Sequence, residues 1–306
     1  MLFNKTDSQT SSPVSISFLG NSPLSLYLAH ILQSYGHNIT IICPPTEAEE
    51  FNATDIIFKN PLKLQTQRYN FKFDHELRNI PQLLIIASDI STLRRDLLLI
   101  KPSKLEGTDI INFTPSCPSS FVNDTLKVSA ISAYYFGWLH QHQNTIISLS
   151  KSPQIIINTP TDNSKLKERL QSYFPTSPLE LKFSPNQAET HWNWLATNTL
   201  VCLHEMNSEK TISSQIKNSF TKNNFDTCLK EISLITSDLE ISIDKNNILS
   251  SIYNLNEFIF FSSYCSKDRQ RLLLNRFCSL LFPNASPDSE RYPYLHETIK
   301  EIYNKL

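Results

Sequence analysis

Glycine is scarce in this chain: its 306 residues include 4 glycines, whereas an average usage of about 7% would supply roughly 21. Loops that cradle phosphate groups depend on glycine, because a backbone without a Cβ can approach a ligand closely and adopt positive φ. The shortage therefore argues against a glycine-rich nucleotide site anywhere in the sequence.

Long apolar runs, an excess of one charge and paired cysteines are lacking as well. The longest apolar runs, such as 83–87 and 258–261, fall far short of the ~20 residues of a membrane-spanning helix. A formal net charge of -1 provides no basic field for nucleic-acid binding. The 6 cysteines form no C-x-x-C pair, and residues 1–12 lack the apolar core of a secretory signal. We therefore expect a cytoplasmic, soluble protein with neither a membrane nor a nucleic-acid partner.

His140 and His142 have the side chains of metal ligands. The sequence offers no third ligand close to them, and a structural zinc site needs four. We interpret both as surface or loop residues and predict no metal site.

The length of the chain predicts two domains, since one domain usually takes about 100 to 200 residues. After the polar tail 1–12, short β-branched runs alternate with helical patterns up to residue 186. This alternation is typical of an α/β fold with a doubly wound parallel sheet. From residue 187 the pattern is helical throughout. We predict a Rossmann-like domain over 13–186, followed by an all-α C-terminal domain over 187–306.

The predicted strands are 14–19, 39–42, 56–58, 83–87, 109–113, 128–131, 145–149, 155–158 and 179–183. The predicted helices are 23–35, 91–100, 164–173, 188–206, 213–220, 227–235, 248–264, 269–281 and 294–303.

The turn after the first predicted strand has the layout of a dinucleotide-binding turn without most of its glycines. The three positions of the G-x-G-x-x-G fingerprint read Gly20, Ser22 and Ser25. Gly20 keeps the tight turn, and Ser25 is small enough for close packing of the helix. The Cβ of Ser22 would stand where a phosphate oxygen approaches, and Pro23 has no N–H to donate. The turn is therefore a poor pyrophosphate site.

Ser22 and Pro23 instead form a good helix start. Serine is favoured at the N-cap and proline at the first helical position. The Ser22 hydroxyl would accept a hydrogen bond from the N–H of Leu24 or Ser25, which are the donors that an anion at this helix end needs. The sequence predicts a helix in which the N-cap residue itself occupies N–H groups at the amino end.

Several segments resemble the ketopantoate reductase (2-dehydropantoate 2-reductase) family. GHNITI at 36–41 and LLIIAS at 83–88 look like its second and fourth strands, and Asn112 lies near an asparagine that the family places after a strand. WNWLATN at 192–198 looks like the W-R-K-L-A-x-N run that opens the family's helical domain. The resemblance implies reduction of a 2-keto acid by NADPH, with a lysine as the proton donor, and a homodimer formed through the helical domain.

The positions that the family uses for substrate and catalysis have changed. Trp194 stands where the family has the lysine, and an indole has no proton to give near neutral pH. A second family asparagine has become Cys202, and the family's glutamate falls in Leu272–Leu274. By this resemblance the substrate cleft between the domains contains Trp194, Asn198, Cys202, Ser262 and Ser263.

The positions that would bind the cofactor have also lost residues that the family uses. Gly20, Asn21, Ser22 and Ser25 are the residues that would contact a dinucleotide. After the second strand, however, Pro44 and its neighbours supply neither a base for the 2′-phosphate of NADP nor an acid for the ribose of NAD. Asp89 stands where the family has a lysine, and an anion beside a pyrophosphate costs roughly 1 to 4 kcal/mol. The four residues Ser22, Pro23, Pro44 and Asp89 disfavour both NADP and NAD.

Three functions remain open at this point. The first is a ketopantoate reductase-like protein that has lost the reaction and acts as a non-catalytic binding or scaffold protein. The second is an NAD(P)H-dependent oxidoreductase acting on a 2-keto acid or another small carbonyl compound, with Asn198 or Asn112 polarising the carbonyl. The third is a small-molecule sensor that uses the cleft between the domains. The losses at both the cofactor and the acid positions favour the first.

Overall fold

The protein is described by a computed structural model that covers residues 12–60, 65–114, 119–148, 150, 153–160, 163–174, 179–207, 219–253, 278 and 291–305. The strands are β1 (Ser15–Leu19), β2 (Asn38–Ile42), β3 (Ile56–Asn60), β4 (Gln65–Tyr69), β5 (Lys72–Asp74), β6 (Leu83–Ile86), β7 (Asp109–Asn112), β8 (Ile131–Phe136), β9 (Leu139–His142), β10 (Thr145–Ser148), β11 (Gln154–Asn158) and β12 (Glu180–Ser184). The α-helices are α1 (Pro23–Ser34), α2 (Pro45–Asn52), α3 (Ile90–Leu97), α4 (Ser119–Leu126), α5 (Ser164–Tyr173), α6 (Gln187–Asn207), α7 (Ser219–Asp238), α8 (Lys245–Tyr253) and α9 (Pro293–Lys305).

Eight strands form one sheet in the order β12-β11-β8-β7-β6-β1-β2-β5. The pairs from β5 through β2, β1, β6 and β7 to β8 are parallel, whereas β11 runs antiparallel to β8. The central strands are apolar along nearly their whole length because both faces of such a sheet are buried, as at Phe18 and Ile85, which are fully buried. The predicted parallel, doubly wound sheet followed by helices is confirmed.

A second, four-stranded sheet has the order β4-β3-β10-β9. Strand β10 pairs parallel with β3 and antiparallel with β9. This sheet was not predicted as a separate layer. Two of its strands carry a mostly polar sequence, which hides them from a search for apolar runs.

The chain forms two compact units. One comprises residues 1–56, 69–132 and 159–183, and the other comprises 57–68, 133–158 and 184–306. In the first, an apolar cluster that includes Leu84, Leu93 and Val122 packs beside the sheet. In the second, α6 contacts α7, α8 and α9, and the shared core includes Leu195 and Ile232. The predicted domain boundary at residue 187 stays a prediction; α6 begins there.

Several predicted elements are wrong. The strand predicted at 128–131 in fact begins at Ile131 and continues to Phe136, because a turn with positive φ at Lys127 precedes it. The histidines at 140 and 142 lie in strand β9, so the loop alternative is wrong for them and the surface alternative stays a prediction. Helices α2 and α4 and strands β4, β5 and β9 were missed. The helices predicted at 213–220, 248–264 and 269–281 lie mainly outside the described residues.

Within the described part of the chain, no helix is both long and apolar enough to cross a membrane.

A buried carboxylate caps the last helix. Glu231 on α7 is 6% exposed, and its two oxygens accept hydrogen bonds from the backbone N–H groups of Tyr294 (2.9 Å) and Leu295 (2.8 Å). The first N–H groups of a helix have no partner within the helix, and negative charge is favourable there. Glu231 therefore fastens α9 to α7.

We expect Glu231→Gln to lower the free energy of unfolding by about 1 to 3 kcal/mol, because one accepting oxygen and the charge are lost inside the core. Thermal unfolding followed by circular dichroism measures the change. Glu240→Gln, at an exposed position of the same unit, is the matched control. Equal stability of the two variants would show that the cap contributes nothing.

Candidate functional site

The turn from β1 into α1 lies at the carboxyl end of the central strands, which is where open α/β sheets bind ligands. Gly20 has φ +90°, and its N–H donates to the Ile42 carbonyl at 2.9 Å. A Cβ on Gly20 would lie 2.7 Å from the Cα of Ser88, closer than any side chain tolerates. Glycine is thus required here by both the backbone angle and the neighbouring strand end.

The serines at the other two fingerprint positions bind the end of β6. The Ser22 hydroxyl caps α1 by accepting from the Ser25 N–H at 3.2 Å, and it donates to the Ala87 carbonyl. The Ser25 hydroxyl donates to the same carbonyl at 3.3 Å. We call Ser22, Ser25 and the Ala87 carbonyl the serine clasp. This is the N-cap that the sequence predicts. Of the two predicted donors, Leu24 and Ser25, it is the Ser25 N–H that binds Ser22.

Few backbone donors are left free at this helix end. Pro23 has no N–H, Ser25 donates to Ser22 Oγ, and Leu26 donates to the Ser22 carbonyl at 3.0 Å. Among the first four helical residues, Leu24 has the one N–H without an acceptor in the described part of the chain. A pyrophosphate needs several such donors, so this end of α1 is poorly equipped to hold one.

Beside the clasp, four charged and amide side chains form what we call the edge network. Asn21 Nδ2 donates to Glu47 Oε2 at 2.9 Å, and Arg95 Nη1 donates to Glu47 Oε1 at 2.8 Å. Arg95 also donates from Nε and Nη2 to Oδ1 of Asp96, at 3.0 and 2.9 Å. Asp96 is 1% exposed and accepts a further bond from Thr92. Two carboxylates share one guanidinium, which makes this edge net negative.

Glu47 is a residue of this site that the sequence reasoning missed. It lies in the first turn of α2, which begins at Pro45, directly after Cys43 and Pro44. The available signal was a proline at the first helical position followed by an acid in the first turn, a usual helix start. The segment itself supplies no ligand group: Cys43 is fully buried, and burial, with the nearby Glu47 carboxylate, raises the pKa of its thiol to about 12.

Asp89 has a local structural role. It is the N-cap residue of α3 and is exposed, and its carbonyl accepts from the N–H groups of Thr92 and Leu93 at 3.0 and 2.8 Å. A negative side chain at a helix amino end is favourable. The same charge would repel a phosphate placed between Asp89 and the clasp.

The two candidate asparagines use their amides locally. Asn112, at the end of β7, is 3% exposed and accepts from the Thr114 N–H at 3.0 Å. Asn198, on α6, donates to the Trp194 carbonyl at 2.7 Å. Each amide thereby stabilises its own turn or helix.

Trp194 is a core residue of the second unit. It is 9% exposed, and its indole N–H donates to the Tyr135 carbonyl at 3.2 Å. Its ring lies 6.2 Å from that of Tyr134 and 6.4 Å from the stacked ring of His191, measured between centroids. The position that would carry an acid in the resembled family is thus occupied by a packed, hydrogen-bonded indole.

Three other candidate cleft residues, Cys202, Ser262 and Ser263, have side chains outside the described residues. Cys202 belongs to α6, but its side chain lies outside the described residues. Ser262, Ser263 and the leucines at 272–274 also lie outside them. Among the side chains that are described, no three histidine, cysteine or acidic groups come together as a metal site would require.

This fold, a mostly parallel sheet of dehydrogenase type followed by helices, is shared with solved oxidoreductases. D-mandelate dehydrogenase, solved with NADH and anilino(oxo)acetate, has a TM-score of 0.69 at 12% identity and covers 95% of this chain and 98% of its own. The 2-dehydropantoate 2-reductase from Geobacter metallireducens GS-15 has a TM-score of 0.70 at 12% identity, covering 94% and 99%. A dimeric ketopantoate reductase from Staphylococcus aureus has a TM-score of 0.66 at 11% identity, covering 95% and 98%.

The chain therefore has the fold of the ketopantoate reductases. The resemblance to this family that the sequence indicated is confirmed at the level of the fold. No protein-family model and no curated protein sequence matches the chain. At 11 to 12% identity, the structural likeness carries the fold and leaves the activity to be argued from the site.

We expect Gly20→Ala to destabilise the protein by at least about 2 kcal/mol, because the new Cβ would meet the Ser88 backbone in addition to straining the positive φ. Gly36→Ala is the matched control, since Gly36 has φ +92° with nothing within 4 Å of a built Cβ; strain alone should cost about 1 kcal/mol. Urea unfolding compares the two. If both variants lose the same stability, the close approach to Ser88 does not matter.

We expect Trp194→Lys to destabilise the second unit by about 3 to 5 kcal/mol, because it would bury an unpaired ammonium among apolar side chains. Trp194→Phe keeps the ring and loses the bond to Tyr135, at about 1 to 2 kcal/mol. Thermal unfolding monitored by tryptophan fluorescence and circular dichroism measures both. A lysine variant as stable as the wild type would mean that this side chain reaches water.

Proposed function

We propose that this chain is a divergent, ketopantoate reductase-like protein that has lost ketopantoate reduction and acts as a non-catalytic binding or scaffold protein. The observation that carries the proposal is the serine clasp, which fills the place where a dinucleotide of this fold class would lay its pyrophosphate.

Breaking the clasp costs free energy, and the binding free energy of a dinucleotide would have to offset it. The bonds from Ser22 and Ser25 to the Ala87 carbonyl would break, at about 0.5 to 1.5 kcal/mol each. The new contacts of a pyrophosphate would offset little of this cost, because Pro23 offers no N–H and the Ser22 Cβ keeps phosphate oxygens away from the backbone. The balance favours the closed turn over a bound pyrophosphate.

The edge network opposes an NADP 2′-phosphate in the same place. Arg95 is the cation of the network, but all three of its bonds go to carboxylates that hold it in position. A phosphate near Glu47 would meet a repulsion of roughly 1 to 4 kcal/mol. NADPH, the reductant implied by the family resemblance, is therefore the least favoured of the dinucleotides.

The reduction of a ketone also needs a proton donor at the carbonyl oxygen. Trp194 stands at the family's lysine position by resemblance, and its N–H is engaged with the Tyr135 carbonyl. Asn198 and Asn112 could polarise a carbonyl but cannot protonate one near neutral pH. The residues that this chain has at these positions are suited to packing.

A second candidate is an oxidoreductase that uses NAD(H) with a 2-keto acid or another small carbonyl compound. The observation in its favour is Glu47, a half-buried carboxylate just beyond β2, because acids in this region bind the ribose hydroxyls of NAD. The D-mandelate dehydrogenase of similar fold is described with NADH.

We also propose a homodimer. The ketopantoate reductase from Staphylococcus aureus, which shares the fold, is described as dimeric. Sedimentation velocity of the purified chain distinguishes a monomer from a dimer.

We expect no change in the thermal unfolding of the wild-type protein with millimolar NADPH, NADP, NADH or NAD. A dinucleotide at about 100 times its dissociation constant would add about 2.7 kcal/mol to the stability, which is a shift of several degrees. The variant Ser22→Gly removes the Ser22 half of the clasp and introduces the second fingerprint glycine. Binding by this variant alone would identify the clasp as the barrier.

A clear shift of the wild type with NADH or NAD would overturn the proposal in favour of the second candidate. Consumption of NADH with a panel of 2-keto acids would then define the reaction.

A further inference from the structure

The first unit is assembled from three pieces of chain, residues 1–56, 69–132 and 159–183. The chain leaves this unit after the first piece and again after the second, so contacts between the pieces have to hold the unit together. Two histidines of the first piece make such contacts. His30, on α1, faces the start of the second piece, and His37, between α1 and β2, faces the third.

His30 packs against the residue with which the second piece begins. Its ring lies 4.2 Å from that of Tyr69, edge to face and measured between centroids. Tyr69 stacks in turn on Phe71, which is 2% exposed. Burial lowers the pKa of His30 from 6.5 to about 4, and it raises the pKa of the Tyr69 phenol. The phenol therefore stays neutral and offers no counter-charge to a protonated imidazole.

His37 connects the start of β1 to the end of α5. It is 6% exposed, and its Nδ1 accepts a hydrogen bond from the Val14 N–H at 3.4 Å. Its ring also interacts with the backbone of Tyr173, the last residue of α5. Protonation would add a hydrogen to Nδ1, which would then face the Val14 N–H as donor to donor. The neutral imidazole is the form that fits this position.

The charges around His37 do not favour its protonation. Lys72 is exposed and lines the same surface depression as His37, where its charge has the sign of an imidazolium. Asp109 accepts hydrogen bonds from the Tyr173 hydroxyl at 2.9 Å and from Arg169 at 2.6 Å, so this carboxylate already has a cation. Burial lowers the pKa of His37, and the Tyr173 backbone opposes that shift only in part.

Acid should therefore weaken both histidine contacts. Each pKa in the folded protein lies below the ordinary value of 6.5, so an opened contact binds a proton before a closed one does. Such a group contributes stability that is complete above 6.5 and is lost as the pH falls through that value towards the folded pKa. For His30 this window extends from 6.5 down to about 4.

We propose that His30 and His37 form an acid-sensitive switch in the first unit, in which protonation releases the start of the second piece from α1 and the end of α5 from β1. The strands in the middle of the sheet remain paired. The switch is independent of the proposed loss of dinucleotide binding.

Hydrogen exchange of the wild-type protein, followed by mass spectrometry at about pH 7.5 and about pH 5.5 and corrected for intrinsic rates, tests the switch. The two contacts should open up to about tenfold more often at the lower pH, as expected for a histidine with a pKa of 6.5 in the open state. We expect faster exchange in residues 66–72 and in α5, while β6 and β7 keep their protection.

Two variants separate the contacts. His30→Phe keeps a ring against Tyr69 without a titrating nitrogen, so it should remove the pH effect in residues 66–72 and leave it in α5. His37→Gln keeps a donor and an acceptor, so it should do the reverse. His75→Gln, the matched control, changes an exposed histidine of the same unit and should retain both effects.

The imidazole signals of the wild type measure the two pKa values directly and do not depend on the folding of any variant. A pKa at or above 6.5 for both histidines would overturn the proposal. So would equal protection of residues 66–72 and α5 at the two pH values, or a pH effect in His30→Phe and His37→Gln that matches the one in His75→Gln.

Discussion

The contact of Gly20 with the end of β6 determines how this chain arranges the carboxyl end of its central strands. Because Gly20 turns with positive φ against Ser88, the start of α1 is drawn down to β6. The Ala87 carbonyl then lies within reach of both Ser22 and Ser25. In a glycine-rich turn the same close approach leaves space for a pyrophosphate. Here the same close approach brings two hydroxyl groups into hydrogen bonds with the end of β6.

The charges at this edge follow from the same arrangement. The turn after Gly20 places Asn21 beside α2, where it orients Glu47; Glu47 in turn orients Arg95, and buried Asp96 holds the guanidinium from the other side. A half-exposed ion pair contributes little stability alone, but the buried carboxylate makes the network rigid. Its net negative charge would repel a phosphate group placed beside it.

The sequence was informative where local chemistry decides the structure. Strands β1 and β2 and helix α1 were predicted within one residue of their ends, since β-branched runs and a Ser-Pro helix start act locally. The cap on Ser25 was foreseen for the same reason. The bonds to the Ala87 carbonyl could not be foreseen. Ala87 lies 62 residues beyond Ser25, and only the register of β1 with β6 brings its carbonyl beside Ser25. Glu47 was missed together with the short, polar helix that carries it, and the polar strands β4 and β9 lack the apolar alternation that reveals a strand.

The serine clasp and the edge network are two separate groups of hydrogen-bonded side chains at the same end of the sheet. They share no side chain, and each is complete in its own hydrogen bonds. A glycine in place of Ser22 would remove the N-cap and one bond to Ala87, whereas the bond from Ser25 to Ala87 and the negative network do not involve the Ser22 side chain. A phosphate group at this end of the sheet would also need a cation that is not already bound to carboxylates, as Arg95 is, and an N–H at position 23, which Pro23 lacks. A single substitution cannot supply these together, so the proposed loss of dinucleotide binding rests on several separate features of the chain and not on one residue.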